Sequence, residues 1–268
     1  MIMKKIILCL ICSFLVSQMA FADKEIAVTI DDLPFVGTAN TPSKLKREQQ
    51  RFLMIMQALI DNNVPATGFV ISGTIEKEQN LLLDRFKEHG FIIANHTHTH
   101  KSLNQVSADR YIRDIDRAHE ILTPLMEGHP KFFRYPYLAE ASGAKREKVR
   151  NHLIDKGYII SPVTVDSKDF KFNSQLFRVR YRARPSYLPS LRKRYLSHMW
   201  RATVRAEKKA EQQGIENPKQ ILLLHANLLN AHFMGDIIKM YKDKGYKFIS
   251  LEEAMKAPNI AKINAVTD

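Results

Sequence analysis

The stretch EIAVTIDDLP, residues 25–34, joins a short apolar run to two adjacent carboxylates. Its apolar and β-branched residues predict a buried strand, and Pro34 fixes the turn that follows Asp31 and Asp32. Two interpretations of this pair are open. The carboxylates cap the next helix or begin an exposed turn, or one binds a metal ion while the other acts as a base for hydrolysis.

Strand-like segments of this kind alternate with longer amphipathic segments along the chain. Strands are predicted at residues 25–30, 66–72, 91–96, 132–136, 158–166, 220–226 and 247–251. Helices are predicted at residues 43–62, 75–89, 107–127, 145–156, 188–213 and 228–244. Gly90, Gly157 and Gly245 each follow a helical segment, as helix stop signals do. The alternation predicts one domain, residues 23–268, with a parallel α/β fold.

The N-terminal residues predict export. The basic segment MIMKK precedes an apolar run of about a dozen residues and a small-x-small pattern at residues 20–22, as in a signal peptide. We therefore predict a signal peptide over residues 1–22 and a periplasmic or secreted mature protein, not stably inserted in a membrane. An uncleaved N-terminal anchor is the alternative. Both cysteines, Cys9 and Cys12, lie in this segment, so disulfides are excluded from the mature chain.

The chain is strongly basic, with a formal net charge of +13, and much of this charge lies in residues 177–209. For an exported protein, nucleic acid is excluded as the expected partner. The charge is interpreted as a surface for an acidic polymer or membrane, or as the solvated face of a helix. The solvated face is the preferred interpretation.

Polar residues follow several predicted strands at their carboxyl ends. In parallel α/β folds these ends form the edge of the sheet where reactive groups gather. The residues concerned are Asp31, Asp32, His96, His98, His100, Arg134, Tyr137, Asp166, Asp169 and His225. We therefore expect them to meet at one rim.

The segment NHTHTHKS, residues 95–102, contains three of the ten histidines. In a helical turn His96 and His100 would share a face and, with a carboxylate, could bind a divalent metal. In a strand all three histidines would share a face. Exposed imidazoles with ordinary hydrogen bonds are the alternative. Thr97 lies where an HExxH motif has its glutamate, so a catalytic base must come from elsewhere.

Five short motifs, in order and rough spacing, resemble those of the polysaccharide deacetylase family, also called the NodB-homology or carbohydrate esterase family 4. The motifs are TIDDLP, HTHTH, RYPY, DSKDF and LLLH, within about residues 26–251. The resemblance implies a distorted (β/α) barrel that uses one divalent metal, usually zinc, to remove acetyl groups from N- or O-acetylated sugars. It also implies that the stretch of about residues 171–218 is a helical insertion before the last catalytic strand.

Carried over by position, the resemblance implies that Asp32, His96 and His100 bind the metal. It implies that Asp31 is the general base, held in place by Arg134, and that water on the metal attacks the acetyl carbonyl.

The resemblance also implies roles for residues of the later motifs. The backbone N–H of Tyr137 would join the metal in stabilising the oxyanion. Asp169 would orient His225, and His225 would protonate the leaving amine.

Several positions depart from the family pattern and concern substrate choice. Leu33 replaces a glycine, so a bulkier loop is expected beside the metal. Leu138 also replaces a glycine, and Ala226 and Asn227 follow His225 where an aspartate is common. Phe170 replaces a tryptophan of the acetyl pocket. We expect Tyr137, Phe170 and Trp200 to contact substrate, with the insertion serving as a lid or groove wall; an extra packed helix is the alternative and the preferred interpretation.

The leading hypothesis is an exported metal-dependent deacetylase of N-acetylated glycans, of the peptidoglycan or chitin type. The second hypothesis is a metal-dependent amidase, which would use the same hydrolytic chemistry on a small molecule. A closed pocket over the metal would favour it. A catalytically silent carbohydrate-binding protein on the same fold is the third hypothesis.

Overall fold

The computed structural model of the chain describes residues 24–35, 41–75 and 80–266. The predicted signal peptide, residues 1–22, and its cleavage site therefore lie outside the described residues. Within the described ranges, no helix is both long enough and apolar enough to cross a membrane.

Strands and helices alternate, as the sequence predicts. The strands are β1 (Lys24–Leu33), β2 (Ala66–Val70), β3 (Ile92–Asn95), β4 (Lys131–Phe133), β5 (Tyr158–Ile160), β6 (Val165–Asp166), β7 (Gln220–His225) and β8 (Tyr246–Ile249). The helices are α1 (Pro42–Asp61), α2 (Asn80–Glu88), α3 (Ala108–Met126), α4 (Gly143–Asp155), α5 (Asp169–Arg178), α6 (Arg184–Gln212), α7 (Leu228–Asp243), α8 (Leu251–Met255) and α9 (Pro258–Val266).

The strands form one parallel sheet curled into an incomplete barrel. Their order is β5-β4-β3-β2-β1-β7-β6, and β8 pairs with the first residues of β1. β1 therefore pairs with three strands and lies at the centre of the sheet. β5 and β6 follow one another in the chain but lie at opposite ends of this order, so the barrel is open between them.

The predicted strand over residues 158–166 is wrong in one respect, because it is two strands. Pro162 lies between β5 and β6 and has no N–H to donate to a strand ladder. Helices α5, α8 and α9 were not predicted. The predicted stop signals are confirmed, because Gly90, Gly157 and Gly245 all have φ between 76° and 78°.

Helices cover the sheet through apolar stripes. In α3 the predicted spacing is confirmed, since Tyr111, Ile115, Ala118 and Leu122 are all buried. The insertion contains most of α5 and all of α6. Helix α6 buries an apolar face against the barrel and exposes most of its basic residues, as the interpretation of an extra packed helix expects.

The expectation that Leu33 makes the loop beside the predicted metal bulkier is wrong, because Leu33 points into the core. Its side chain is completely buried, and it covers Gly68 of the neighbouring strand β2. A Cβ atom at Gly68 would lie 2.0 Å from Cδ1 of Leu33 and 3.1 Å from the ring of Phe86. The register of β1 shifts between Ile30 and Leu33, and this irregularity directs the extra bulk into the core.

We predict that Gly68→Ala destabilises the protein by about 1–3 kcal/mol, because the new methyl group overpacks against Leu33. Leu33→Ala alone should cost about 2–5 kcal/mol through a cavity. The double variant should be less destabilised than the sum of the two, since the methyl group enters the space that Leu33 vacates. Urea unfolding of the four proteins measures this coupling. Additive effects would show that the two side chains do not compete for space.

Candidate active site

All of the predicted site residues except Trp200 lie at the carboxyl edge of the sheet. Asp31 is paired in register with His225 of β7, and the histidine loop follows β3. A cavity of about 610 Å³ lies over this edge. Among the residues that line it are Asp31, Asp32, His96, His100, Tyr137, Leu138, Asp166, Phe170 and His225. Arg134 and Asp169 are fully buried and contact the lining residues from behind.

Arg134 holds Asp31 by a buried ion pair. Its Nη1 donates to Oδ1 of Asp31 at 2.7 Å and to the hydroxyl of Thr29 at 2.7 Å. Its Nη2 donates to the hydroxyl of Ser161 at 3.0 Å. Both charges are removed from water, so the pair depends on these hydrogen bonds. Oδ2 of Asp31 is left to face the imidazole of His96, at 3.7 Å.

Three side chains place donor atoms around one point. Oδ1 of Asp32 lies 3.1 Å from Nε2 of His100 and 3.6 Å from Nε2 of His96. The backbone carbonyl of Arg134 accepts a hydrogen bond of 2.8 Å from Nδ1 of His96. Because a carbonyl can only accept, Nδ1 of His96 carries the hydrogen, and its Nε2 lone pair is directed towards Asp32.

This arrangement fits a divalent metal. Oδ1 of Asp32 is buried, and no described group donates to it with hydrogen-bond geometry. Donors bound at about 2.0–2.1 Å in a tetrahedron lie about 3.3 Å apart, close to the separations of Oδ1 from the two imidazoles. The donor atoms of Asp32, His96 and His100 all lie within 4.8 Å of one another. One carboxylate and two imidazoles are also the donors of many catalytic metal sites.

The protonation states of the donors support the same conclusion. Burial acts to raise the pKa of Asp32, but the imidazoles of His100, His96 and His225 outweigh it and lower this pKa to about 2. Burial lowers the pKa of His96. A carboxylate and a neutral imidazole are the forms that bind metals.

The histidine loop is neither the helical turn nor the strand that its spacing allows. Thr97 and His100 have φ of 67° and 55°, so the chain turns twice in the left-handed region. Asn95 stabilises this turn, because its Oδ1 accepts from the N–H of Thr97 at 2.8 Å. His98 is turned away from the metal donors and its Nδ1 lies 2.9 Å from the hydroxyl of Ser72. Asn95 was not predicted as a site residue, although an asparagine at the end of an apolar strand is a signal for such local bonding.

Asp169, which is fully buried, and His225, which is partly exposed to the cavity, form a second pair. Nδ1 of His225 donates to Oδ1 of Asp169 at 2.7 Å. Oδ2 of Asp169 accepts from the backbone N–H of His225 at 2.7 Å and from the amides of Asn227 and Asn230 at 2.9 and 2.6 Å. Burial acts to lower the pKa of His225, but Asp169 first, and then Asp32 and Asp31, raise it to about 10. The two asparagines that hold Asp169 were not predicted as site residues.

Aromatic side chains form the rim of the cavity. The ring of Tyr137 lies 4.7 Å from that of His100, and Tyr137 has φ of 60° in a short 3₁₀ turn over residues 136–138. The ring of Phe170 lies edge-on to His225 at 6.4 Å. Tyr137 and Phe170 are 69% and 50% exposed, so a substrate can reach both.

Trp200 does not belong to this rim, and its predicted contact with substrate is corrected. Its ring packs at 6.3 Å from Tyr246, the first residue of β8, and Lys244 lies over it at 5.0 Å. Tyr246 pairs with Lys24 at the start of β1, so Trp200 lies at the opposite edge of the sheet. The 29-residue helix α6 carries it away from the cavity. The insertion instead contributes Phe177, which was not predicted and which lines the cavity.

Comparison with known proteins is consistent with this geometry. A family model described as polysaccharide deacetylase matches residues 18–158, slightly more than half of the chain. The matched range contains Asp31, Asp32, His96, His100 and Arg134 and ends before Asp169 and His225.

Two curated relatives are similar to the chain in sequence. A peptidoglycan-N-acetylglucosamine deacetylase of Bacillus cereus is 32% identical over 147 residues, which are 55% of this chain and 46% of that protein. A chitin deacetylase of Colletotrichum lindemuthianum is 28% identical over 152 residues, 55% of this chain and 54% of that protein. The chain thus spans about half the length of these curated relatives.

A crystal structure of a peptidoglycan N-acetylglucosamine deacetylase aligns with 89% of this chain and 91% of its own, with 21% identity and a TM-score of 0.61. This likeness shows the fold and confirms the predicted distorted (β/α) barrel.

We predict that His100→Ala lowers the affinity for a divalent metal ion, assayed with Zn²⁺, by at least about 10²-fold, because one of the three candidate donors is removed. His98→Ala is the matched control, since it removes an imidazole two residues away that contacts Ser72 rather than the metal donors. Competition with a chromogenic chelator measures both affinities. Equal losses in the two variants would contradict the assignment of ligands.

The raised pKa of His225 predicts a pH-dependent contribution to stability in chelator-stripped protein. This contribution is complete below the ordinary pKa, about 6.5, and is lost as pH rises through about 10. The difference in free energy of unfolding between wild type and His225→Gln should therefore shrink from pH 6 to pH 10. Urea unfolding at a series of pH values tests this. A constant difference would show that folding does not raise this pKa.

Proposed function

This chain belongs to the polysaccharide deacetylase family, and we propose that it removes acetyl groups from an N-acetylated glycan of the peptidoglycan or chitin type. One observation carries the proposal. The three metal donors, Asp31 and the His225–Asp169 pair are arranged around a single cavity. The names of the two curated relatives support the choice of substrate class.

We propose zinc as the metal, held by Asp32, His96 and His100. Three protein ligands of oxygen and nitrogen type, with a further position open to the cavity, are typical of catalytic zinc. The ion would polarise the acetyl carbonyl and lower the pKa of water bound to it.

The base and the acid are assigned from their surroundings. Arg134 occupies Oδ1 of Asp31, so Oδ2, which faces the metal donors, is the atom that would take the proton of the attacking water. Against the effect of burial, Asp169 raises the pKa of His225 to about 10 in the metal-free protein, and His225 is the group that would donate a proton to the leaving amine. The backbone N–H of Tyr137, at the cavity wall, is proposed as the oxyanion donor.

The exposed rim favours a glycan over a small amide. Tyr137 is largely exposed and Phe170 is half exposed, whereas a small-molecule amidase would need a closed pocket. Aromatic faces of this kind stack on the apolar faces of sugars. The buried Asp31–Arg134 and His225–Asp169 pairs argue against a silent binding protein, because carbohydrate binding alone has no need of them.

We also propose that the protein acts outside the cytoplasm, in the periplasm or secreted. Support comes from the basic, apolar and small-residue pattern of residues 1–22. Export would bring the enzyme to envelope glycans.

The first test is acetate release from N-acetylglucosamine oligomers and from purified peptidoglycan. Protein stripped with chelator should be inactive, and zinc should restore release. No release from either substrate, with zinc still bound, would favour the small-molecule amidase or the binding protein.

Asp31→Asn should lower turnover by about 10²–10⁴-fold, because the general base is removed. Zinc stoichiometry should be unchanged, since the metal donors remain. Far-UV circular dichroism controls for misfolding, because the buried Arg134 loses its counter-charge. Unchanged turnover in a folded, zinc-loaded variant would show that the two aspartates have other roles.

A further inference from the structure

One face of helix α5 forms a wall of the cavity. Phe170, Asn173, Ser174 and Phe177 follow the i, i+3, i+4, i+7 spacing, and all four line the cavity. The backbone positions of Phe170 and Phe177 are seven residues apart, which is about 10.5 Å along the helix axis. Phe170 lies beside His225, so Phe177 lies well beyond the place of the acetyl group. The wall is longer than a single sugar ring requires.

An arginine lies between two exposed aromatic rings at the far end of this wall. The guanidinium carbon of Arg184 lies 5.8 Å from the centre of the Phe177 ring and 5.7 Å from that of Tyr181. These two rings are 51% and 82% exposed. Nε of Arg184 donates to the carbonyl of Val179 at 3.3 Å. Among the residues that the structure describes, no carboxylate lies within ion-pair distance of its guanidinium.

The surroundings of Arg184 add positive potential. Arg184 is the first residue of α6, at the positive end of a 29-residue helix whose first turn has no acidic residue. Arg51 lies 5.6 Å from the centre of the Phe177 ring, although Glu48 pairs with it. Burial first, and then Arg51 and Arg184, lower the pKa of His232. The far end of the wall is therefore an anion-attracting surface.

The near end of the wall also combines an aromatic ring with basic side chains, but one of these is paired with a carboxylate. Lys168 and Lys171 lie 5.8 and 6.0 Å from the centre of the Phe170 ring. Lys168 forms an ion pair with Asp166, whereas Lys171 has no such partner among the described residues. Arg184 thus combines two exposed rings, a guanidinium without a carboxylate and a helix N-terminus.

We propose that Phe177, Tyr181 and Arg184 form a distal subsite that binds a carboxylate-bearing sugar of the substrate glycan. The inference rests on the proposed function and narrows it, because it makes the preferred substrate an acidic glycan rather than a neutral one. The rings would stack on the apolar face of the sugar. The guanidinium would bind the carboxylate through two N–H donors.

The test compares glycan strands that differ only in charge. Peptidoglycan strands freed of their peptides carry a lactyl carboxylate on every second sugar, and amidation of these carboxylates gives a neutral match. Wild type should have a kcat/KM about fivefold higher on the acidic strands than on the amidated strands. This is the gain in binding that one exposed ion pair provides. Arg184→Gln should abolish this preference. Arg182→Gln, which removes the same charge from the exposed neighbouring turn, should retain it.

Equal rates of wild type on acidic and amidated strands would overturn the subsite. So would equal loss of the preference in Arg182→Gln, since this would reflect overall charge rather than a built site. A binding experiment separates this inference from the proposed function. It measures the affinity of the Asp31→Asn variant and of the Asp31→Asn, Arg184→Gln double variant for the acidic and the amidated strands. If no glycan is deacetylated, the proposed function fails, while a binding preference that needs Arg184 still supports the subsite and its absence overturns it.

Discussion

The ion pair between Asp31 and Arg134 is the contact on which the site depends. Asp31 lies near the end of β1 and Arg134 directly follows β4, and these two strands are separated in the sheet by β2 and β3. In a flat sheet three strand spacings would hold them about 14 Å apart, beyond the reach of an arginine side chain. Curling of the sheet brings them to 2.7 Å, and Phe69 of β2 lies 4.1 Å from the guanidinium carbon. Each charge is buried, so loss of either would leave the other uncompensated. The sheet must therefore curl for Arg134 to reach and orient Asp31, the proposed base.

The adjacent aspartates have different environments because the backbone changes direction between them. Asp31 ends the regular part of β1, while Asp32 has φ of 63° and directs its carboxylate towards the histidine loop. Asp31 faces a guanidinium and Asp32 faces imidazoles. On the other side of the cavity, Asp169 is held by four N–H donors and raises the pKa of His225. Charged groups of both signs thus line or contact the cavity in which the acetyl group is proposed to bind.

The sequence predicted most of the strands and the convergence of their ends, because strand order in parallel α/β folds brings all carboxyl ends to one edge. It did not predict the histidine loop, since spacing alone is compatible with a helix or a strand. That loop is set by Asn95 and by contact of His98 with Ser72, which is distant in sequence. The direction of Leu33 depends on a local register shift, and the position of Trp200 on the length of α6. Neither is visible in composition or periodicity.

Helix α5 contains both the residue that holds the proposed acid, His225, and the wall proposed to contact substrate. Asp169 is its first residue, and Phe177 lies two turns later on the same rigid element. The evolution of new substrate preference in this chain is therefore constrained. Exchanges of single side chains along the wall can retune specificity while the acid stays in place. A change that tilts the helix to admit another glycan would also displace Asp169, and a gain in substrate range would come with a loss in rate.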